Sequence, residues 1–382
     1  MKQGLYKKLD SYIKEYSIKN KLSEEIPVYS VTNSQGFCKD YFGKEVASQD
    51  KSTYKIVPFG YFAYNPSRIN VGSIDWQSKE DKVIVSPLYN VFSVSSDLMQ
   101  QYLLYYLKSP ATIHYIDSIA TGTVRLNLKF SMLKELVLPI PSLETQEKIV
   151  SELDKINELI RLKKEQLKDY DNLAQSIFYE MFGDPVENEM GWEVKKLGEM
   201  SELKNGLNFS KVENGHLIKF LGVSDFQNKK NISSDALGYI SLLENVSEDC
   251  FLKTDDIVFV RSNGNKELIG RCVKLTIKEP TTYSGFCIRC RITDEMIDKE
   301  FIACLMKIPT IRQLMTNSGR GCNISNLNQK ILSSIPIICP QIELQQLFAQ
   351  RIEQIEKQKA EVQKAIADLE TLLASRMQYW FE

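Results

Sequence analysis

The sequence predicts an α+β fold in which a mixed α/β domain and a long helix occur twice, related by an approximate two-fold axis. The main observation is an internal repeat, because residues 97–182 align on residues 296–381 without a gap. Solenoid repeats are much shorter, at about 20–50 residues. Identical pairs in the two copies include Lys108/Lys307, Pro110/Pro309, Gly122/Gly321, Asn127/Asn326, Leu128/Leu327, Gln146/Gln345, Ile156/Ile355 and Phe182/Phe381.

Composition favours a folded chain of two or three domains. The 382 residues include 43% hydrophobic side chains, which is enough for packed cores. No apolar run is long enough for a membrane helix and the first residues form no signal core, so we expect a soluble, cytoplasmic protein. The net charge of −1 argues against a bulk polyanion binder. Residues 1–120 and 191–320 are slightly basic, which reflects either scatter or a DNA binder that relies on partner subunits.

Each globular half is predicted to be mixed, with short strands separated by turn-forming residues. A helix is expected to follow at Asp97–Lys108 in the first copy and at Met296–Lys307 in the second, each stopped by a proline. The predicted strands are Val28–Val31, Tyr54–Val57, Tyr61–Tyr64, Val83–Val85 and Tyr89–Val94 in the first half, and Phe220–Val223, Ile257–Val260, Cys272–Ile277 and Gly285–Ile292 in the second.

Each globular half is followed by a long segment with apolar residues at alternating steps of four and three. This spacing is typical of a coiled-coil helix. Pro141-Ser142 provides a helix stop and then an N-cap, and Gly183-Asp184-Pro185 ends the first helix. The predicted packing positions are Ile149, Leu153, Ile156, Ile160 and Leu167, continuing through Tyr170, Ala174, Ile177 and Met181, and then Phe348, Ile352, Ile355, Val362, Ile366 and Leu369, continuing through Leu373, Arg376 and Trp380.

The two helices are predicted to pack on one another as an antiparallel pair, because a two-fold axis perpendicular to them reverses their direction. Lys163 and Lys359 interrupt the apolar stripes. They either set the register of the pair or extend their ammonium groups to solvent. The predicted divisions are globular domains at 1–141 and 191–340, a helix with its linker at 142–190, and a second helix at 341–382.

The sequence lacks the loops with which most enzymes bind nucleotides. No GxxxxGK[ST] sequence is present, and no GxGxxG opens a helix after a strand. His114 is expected to be structural and His216 to be solvated. Cys287 and Cys290 have CxxC spacing, but the alternating segment around them indicates a strand with structural thiols.

Two further segments resemble catalytic motifs but are interpreted as turns. Asp255 and Asp256 are adjacent carboxylates that are expected to cap a turn before the strand at Ile257–Val260. The Tyr-Asn-Pro-Ser segment that begins at Tyr64 differs from the Asn-Pro-Pro-aromatic motif of amino-methyltransferases. It lacks the second proline and the aromatic residue, and no S-adenosylmethionine glycine loop precedes it.

Each globular half contains a loop dense in Arg, Asn and Ser. These loops cover residues 64–70 and 261–266, and each half adds a short polar segment at 121–125 or 319–323, ahead of its long helix. Arg can donate a bidentate pair to guanine, Asn and Gln can bind adenine, and Ser can bind phosphate. Composition alone leaves two interpretations open, ordinary surface turns or paired DNA-reading loops.

The layout resembles the specificity subunit of type I restriction–modification systems, the HsdS family. The resemblance lies in the run from Gly122 to Pro141 followed by Leu143-Glu144-Thr145-Gln146, in the openings at 27–36 and 62–73, and in the second-domain start at 191–198. It covers essentially the whole chain. The second copy departs at 335–345, where a proline is shifted and the serine cap is missing.

The resemblance implies that each recognition domain reads one half of a bipartite site in double-stranded DNA. The helices would set the spacer and dock two methyltransferase (HsdM) subunits that bind S-adenosylmethionine. Motor–nuclease (HsdR) subunits would use ATP and Mg²⁺, so this chain would carry no catalysis, cofactor or metal. The candidate DNA contacts are Asn33, Gln35, Tyr64, Asn65, Arg68, Asn70 and Arg125 in the first half, and Asn208, Lys211, Arg261, Ser262, Asn263, Asn265, Arg320 and Asn323 in the second.

Two other interpretations compete with this one. A structural coiled-coil scaffold would have no need of paired Arg/Asn loops. A nuclease or methyltransferase acting alone would need the nucleotide, cofactor or metal motifs that the sequence lacks.

Overall fold

The structure is a computed structural model, and it describes residues 6–39, 50–120, 127–208, 215–226, 231–243, 246–316 and 326–382. The chain divides into two compact units. Unit 1 contains Met1–Gln166 and Val362–Glu382, and unit 2 contains Leu167–Glu361. Each unit therefore takes one globular half together with part of each long helix. The globular bounds predicted from the sequence stay a prediction, since the units divide both helices.

Unit 1 is built around a four-stranded antiparallel sheet. The strands of unit 1 as a whole are β1 (Tyr6–Lys8), β2 (Ile13–Glu15), β3 (Ser30–Thr32), β4 (Gly36–Cys38), β5 (Lys55–Pro58), β6 (Phe62–Tyr64), β7 (Ile74–Trp76), β8 (Lys82–Val85), β9 (Asn90–Val94) and β10 (Val137–Pro139). Its short helices are α1 (Gln100–Leu107), α2 (Pro110–Ile119) and α3 (Phe130–Lys134). The main sheet has the order β2-β9-β6-β7, and β1 pairs with β10, β3 with β4 and β5 with β8.

The first long helix, α4 (Leu143–Phe182), follows and enters unit 2. The strands of unit 2 are β11 (Glu193–Lys196), β12 (Ser201–Asn205), β13 (His216–Leu221), β14 (Asn231–Ser233), β15 (Gly238–Leu242), β16 (Ile257–Val260), β17 (Cys272–Thr276), β18 (Thr281–Tyr283), β19 (Cys287–Ile292) and β20 (Pro336–Cys339). Its short helices are α5 (Lys299–Leu305), α6 (Pro309–Thr316) and α7 (Gln329–Ser333), and α8 (Ile342–Phe381) is the second long helix.

The main sheet of unit 2 contains the same four-strand core as unit 1. Its order is β12-β19-β16-β17-β14, so β12, β19, β16 and β17 correspond to β2, β9, β6 and β7. The pair β11–β20 corresponds to β1–β10, whereas the sheet β15-β13-β18 has a different order from the small sheets of unit 1. The α+β fold and the duplication are confirmed, and the differences lie in the outer strands.

The strand predictions are best where β-branched and aromatic residues are fully buried. The strand predicted at Ile257–Val260 is observed with those bounds, and all four residues are buried. The strand predicted at Phe220–Val223 is wrong at both ends, because β13 begins at His216 and stops at Leu221. Its outer half is exposed, so the usual apolar signal is missing there.

Within each unit the two helix segments run antiparallel, as predicted. In unit 1, Glu152 pairs with Arg376 and Lys164 pairs with Glu370, so the residue numbers rise on one helix while they fall on the other. In unit 2, Asp171 pairs with Lys359, and the ring of Phe178 lies 5.6 Å from that of Phe348. Each helix has 40 residues and begins one residue after its predicted start.

The predicted packing positions are buried along most of both helices. Leu167 and Leu369 are only half-buried. The buried positions are Ile149, Leu153, Ile156, Ile160, Phe348, Ile352, Ile355, Val362 and Ile366.

The predicted phase is wrong near the C-terminal ends of the helices. There the buried residues are Phe178 and Phe182, and Met377 and Phe381, each one position away from the predicted ones. The reason is that these ends also pack on a globular part. The Phe178 ring stacks on Phe301 of α5 at 5.8 Å, and the stripe must therefore cover two neighbours.

Two glutamines identical in the repeat join the long helices to the globular parts. Gln146 is fully buried, donates to the carbonyls of Asp97 (3.0 Å) and Pro141 (2.9 Å), and accepts from the amide of Met99 (2.9 Å). Gln345 does the same with Met296 (3.2 Å), Pro340 (2.7 Å) and Asp298 (2.9 Å). Buried amide groups need such partners, so each glutamine locks the start of its helix in place.

Candidate nucleic-acid interface

The two polar loops predicted from the sequence occupy equivalent places in the two units. In unit 1 the loop follows β6, and the carbonyl of Pro66 accepts from the amide of Leu128 at 3.0 Å. In unit 2 the loop follows β16, and the carbonyl of Arg261 accepts from the amide of Leu327 at 2.8 Å. Leu128 and Leu327 are an identical pair in the repeat and both are fully buried. The same buried anchor therefore holds both loops.

Both loops are shaped by asparagine side chains. In unit 1 the amide of Ser67 donates to Oδ1 of Asn65 at 3.1 Å. In unit 2 the amide of Asn265 donates to Oδ1 of Asn263 at 2.8 Å, and that of Glu267 donates to Oδ1 of Asn265 at 3.0 Å. These side-chain oxygens accept hydrogen bonds from loop amides that would otherwise be paired within a helix or a sheet.

Each loop closes on a glycine in the left-handed region. Gly72 has φ +81° and Gly270 has φ +75°, a backbone conformation that side chains disfavour. Each glycine comes just before the next strand of the main sheet, β7 or β17. Both loops therefore leave and re-enter the sheet by the same route.

The loops differ in which side chains they expose. In unit 1, Arg68 is exposed and Asn65 is half-buried, while Nδ2 of Asn70 donates to Asp117 at 3.0 Å. In unit 2 the side chains of Arg261, Ser262 and Asn263 are half-buried and that of Asn265 is exposed.

The prediction that Tyr64 contacts DNA is wrong, because the side chain of Tyr64 is fully buried. Its hydroxyl donates to the carbonyl of Leu128 at 3.1 Å and accepts from Nδ2 of Asn90 at 2.8 Å. The tyrosine supports the loop from beneath. Sequence alone does not tell whether the last aromatic of a short strand faces the core or the solvent.

The turn between β3 and β4 reaches the loop of unit 1. Asn33 and Gln35 are exposed at this turn. A side chain at Gly72 would come within 2.5 Å of Oδ1 of Asn33, so the two segments are in contact. The structure thus brings Asn33 next to the 65–70 loop.

Two side chains of opposite charge, not found from the sequence, support this turn. The amide of Phe37 donates to Oδ2 of Asp75 at 3.0 Å, and Nζ of Lys108 donates to the carbonyl of Asn33 at 3.5 Å. Burial raises the pKa of Asp75 and lowers the pKa of Lys108, and in each case it outweighs the attraction of the opposite charge. The only sign of this role in the sequence is that Lys108 is identical to Lys307 in the repeat.

A corresponding contact exists in unit 2. The amide of Gly285 donates to the carbonyl of Leu207 at 2.7 Å, and a side chain at Gly285 would collide with Oδ1 of Asn208. The amide of Arg261 donates to the carbonyl of Phe286 at 2.8 Å. Asn208 therefore lies by the turn that touches the 261–265 loop. The predicted contacts Arg125, Lys211, Arg320 and Asn323 lie outside the described residues.

The remaining candidates for chemistry have structural surroundings. Burial raises the pKa of Cys287 and that of Cys290 to about 12, so these strand thiols are poor nucleophiles. Asp256 accepts from the amide of Lys253 at 2.7 Å, as expected of a turn cap, and also pairs with Arg291 at 2.7 Å.

The part of the chain that the structure describes holds no group of three or more metal-ligand side chains. His114 and His216 are both exposed, the first against a structural role and the second as expected. Among the described residues, no helix combines the length and apolar character that a membrane crossing requires.

The duplicated sheet with its paired, anchored polar loops defines a chain made of two recognition-type units. The sequence profile of the family described as "Type I restriction modification DNA specificity domain" matches residues 6–169 and 189–371. These two matches cover most of the chain, one in each half. The chain belongs to this family.

Curated relatives and a solved structure are similar to this chain. The type I restriction enzyme MjaIX specificity subunit of Methanocaldococcus jannaschii is 33% identical over 126 residues, covering 29% of each chain. The StySPI specificity subunit of Salmonella potsdam is 24% identical over 270 residues, covering 66% of this chain and 58% of that one. The chain thus aligns with less than two thirds of the length of these relatives.

A solved structure described as "Structural basis underlying complex assembly and conformational transition of the type I R-M system" has the same fold. Its TM-score is 0.60 at 16% identity, covering 98% of this chain and 96% of that chain. At this identity the match supports the fold alone.

Proposed function

We propose that this chain is the DNA specificity subunit of a type I restriction–modification complex, in which each unit reads one half of a bipartite target. The observation that carries the proposal is the equivalence of the two polar loops. The loops follow corresponding strands and are anchored by Leu128 and Leu327, an identical pair in the repeat, but their own sequences differ. Equivalent placement with different side chains is what two readers of different half-sites need.

The polar side chains of the two loops and of the turns beside them suit base recognition. Arg68 in unit 1 and Arg261 in unit 2 can donate bidentate pairs to guanine, and Asn33, Asn208 or Asn265 can pair with adenine. The chain has a net charge of −1, so electrostatic attraction to phosphates is weak. Partner subunits would supply many of the phosphate contacts.

The long helices would serve as the spacer and as the docking surface for two methyltransferase (HsdM) subunits. Both helices keep large apolar side chains exposed after they have packed on each other, which supports a further protein contact. These exposed residues include Leu159, Leu162 and Leu173 on α4 and Leu347 and Leu372 on α8.

The reactions would belong to the partners. Methyltransferase subunits would bind S-adenosylmethionine and methylate adenine, and motor–nuclease (HsdR) subunits would use ATP and Mg²⁺ to translocate and cleave DNA. The chain itself would act as a non-catalytic subunit. Because the proposed ligand is cellular DNA, we expect the complex to act in the cytoplasm.

A mobility-shift titration tests the proposal. The chain, assembled with its methyltransferase subunit, is titrated against a duplex carrying the motif that is methylated in the host and against a duplex with that motif scrambled. We expect a preference for the motif of about 10³-fold or more that persists as salt is raised. Equal binding of both duplexes at every salt concentration would exclude sequence recognition. It would favour the second candidate, a coiled-coil scaffold.

A further inference from the structure

Each unit exposes one large apolar side chain at the same turn of the fold. Leu88 is 78% exposed just before β9, and Phe286 is 60% exposed just before β19. β9 and β19 are corresponding strands of the two main sheets. Isolated exposed apolar residues are common on protein surfaces. Here two such residues occupy corresponding positions, although the globular sequences of the two units have diverged. The shared position indicates that both residues serve the same purpose.

The same hydrogen bonds hold both turns. The amide of Leu88 donates to Oγ of Ser86 at 3.5 Å, and that of Phe286 donates to Oγ of Ser284 at 3.2 Å. The next amide, of Tyr89 or Cys287, donates to the carbonyl of the same serine at 3.1 or 2.8 Å. The residue between differs, because it is Pro87 in unit 1 and Gly285 in unit 2. The geometry is therefore kept while the sequence changes.

Both turns lie directly opposite the polar loops. In unit 2 the β16–β19 register pairs Val260 with Cys287, and the next position brings Arg261 against Phe286. The amides of Arg261 and Ser262 both donate to the carbonyl of Phe286, at 2.8 and 3.4 Å. The backbone carbonyl of Phe286 is therefore held by two hydrogen bonds, whereas the ring of Phe286 is exposed to solvent.

The register of unit 1 gives the same arrangement. It pairs Tyr64 with Asn90, so continuing it by two residues brings Pro66 opposite Leu88. Proline has no amide hydrogen, which accounts for the missing counterpart of the Arg261 bond. Burial raises the pKa of Tyr89, the residue after Leu88, and Arg68 and Asn65 lie close enough to its hydroxyl to oppose that rise. Leu88 therefore lies beside the loop that carries Asn65 and Arg68.

We infer that Leu88 and Phe286 are wedge residues, one in each unit, that insert between base pairs of the half-site that the unit reads. This inference rests on the proposed function. Apolar side chains such as Leu and Phe unstack a base step and kink the duplex when a surrounding polar surface holds the DNA. The flanking Asn and Arg side chains supply that surface. Phe286 adds stacking of its ring on a base, which Leu88 cannot offer.

Fluorescence of 2-aminopurine tests the wedges, because this base brightens when it is unstacked. The complex with the methyltransferase subunit is bound to duplexes of the methylated motif that carry 2-aminopurine at successive positions of each half-site. We expect one bright step in each half-site. Phe286→Ala should abolish the signal in one half-site only and weaken binding roughly 10- to 100-fold. Leu88→Ala should abolish the signal in the other half-site, with a smaller loss of affinity.

Matched controls separate insertion from general damage. Leu217 and Leu22 are 72% and 84% exposed, so Leu217→Ala in unit 2 and Leu22→Ala in unit 1 remove similar apolar area elsewhere. Both should leave fluorescence and affinity unchanged. Phe286→Leu copies the residue of unit 1 and should retain the bright step.

The outcomes distinguish the inference from the function on which it rests. If the unaltered complex prefers its motif but both alanine variants keep the bright steps, the wedges are excluded and the proposed function stands. If the alanine variants weaken assembly with the methyltransferase in the absence of DNA, the turns contact that protein and the inference is overturned. If the unaltered complex shows no preference for its motif, the proposed function fails and the wedges fail with it.

Discussion

At the residue scale, two buried polar side chains join the long helices to the globular parts. Gln146 and Gln345 each satisfy two carbonyls and one amide at the junction of a long helix with a globular part. Because the partners are main-chain groups, removal of the amide would leave buried donors and acceptors unpaired. The two glutamines are identical in the repeat, but their role follows only from their hydrogen bonds in the folded chain.

Replacing Gln345 by alanine should lower the free energy of unfolding by about 2–3 kcal/mol, because buried backbone groups lose their partners. The neighbouring Gln346 is exposed, so Gln346→Ala is a matched control that should stay within about 0.5 kcal/mol. Urea titrations of the two variants followed by circular dichroism make the comparison. Equal stability of both variants would show that the junction does not depend on this amide.

Glu152 gives unit 1 a defined response to acid. The guanidinium of Arg376 and the indole of Trp380 hydrogen-bond to its carboxylate, and together they hold the pKa of Glu152 below its ordinary value of 4.5. A lowered pKa means that the contribution to stability is present above pH 4.5 and is lost as the pH falls further.

Glu152→Gln should therefore remove part of the acid sensitivity between about pH 5 and pH 3. Glu147→Gln, at an exposed position of the same helix, should retain it. Thermal melts recorded across this pH range would reveal the difference. Parallel pH profiles for all three proteins would contradict this assignment.

At the element scale, the helix pair combines an apolar stripe with one buried cation. Lys359 is 8% exposed, and its Nζ donates to Asp171 of the other helix at 2.9 Å and to Glu356 at 3.1 Å. Lys163 instead donates to Gln166 of its own helix at 3.1 Å. Of the two interpretations left open by the sequence, register-setting fits Lys359 and extension toward solvent fits Lys163.

A double-mutant cycle between Lys359 and Asp171 should give a coupling energy of about 0.5–1 kcal/mol, since Asp171 is half exposed and screened by solvent. The matched cycle between Lys163 and Asp169, two polar side chains of the same helix, should give a coupling energy close to zero. Guanidinium titrations are unsuitable because the salt screens the pair, so urea is the denaturant to use. A coupling near zero would remove Lys359 from the control of register.

The long helices were predictable because their signal is local and repeated over many turns. Their starts are displaced by one residue, and the antiparallel packing within each unit follows from the symmetry of the repeat. The shifted phase at Phe178 and Phe381 was not predictable, since it depends on rings such as Phe301 and Tyr102 that are distant in sequence. The same limit applies to Tyr64 and to the turns at Leu88 and Phe286, whose role appears only when two strands are paired.

At the scale of the whole molecule, the chain is one unit used twice and specialised twice. The strands, anchors and helix junctions are shared, whereas the loop side chains differ. This pattern is what the proposed function requires, because a shared scaffold would carry two different DNA-reading surfaces. Rigid helices suit a spacer better than a flexible linker, because half-sites on DNA need a fixed distance and phase.

Deleting seven residues from each long helix, 163–169 and the equivalent 362–368, should shorten the spacer while keeping the apolar stripes in phase. Seven residues correspond to about 10 Å of helix, or about three base pairs of DNA. We expect the methylated motif to lose about that number of unspecified positions, or methylation to stop because the complex no longer assembles. A motif with an unchanged spacer would show that other elements set the gap.

The central claim is that two separate loops read two separate half-sites, and methylome sequencing tests it most directly. A host carrying Arg261→Ala with Asn265→Ala is compared with a host carrying Arg68→Ala with Asn33→Ala and with the unaltered system. We expect each double variant to relax one half of the methylated motif, at a cost of about 1–3 kcal/mol for each lost base contact, and to keep the other half and the spacer. Relaxation of both halves by either variant, or no change in the motif with both, would contradict the account.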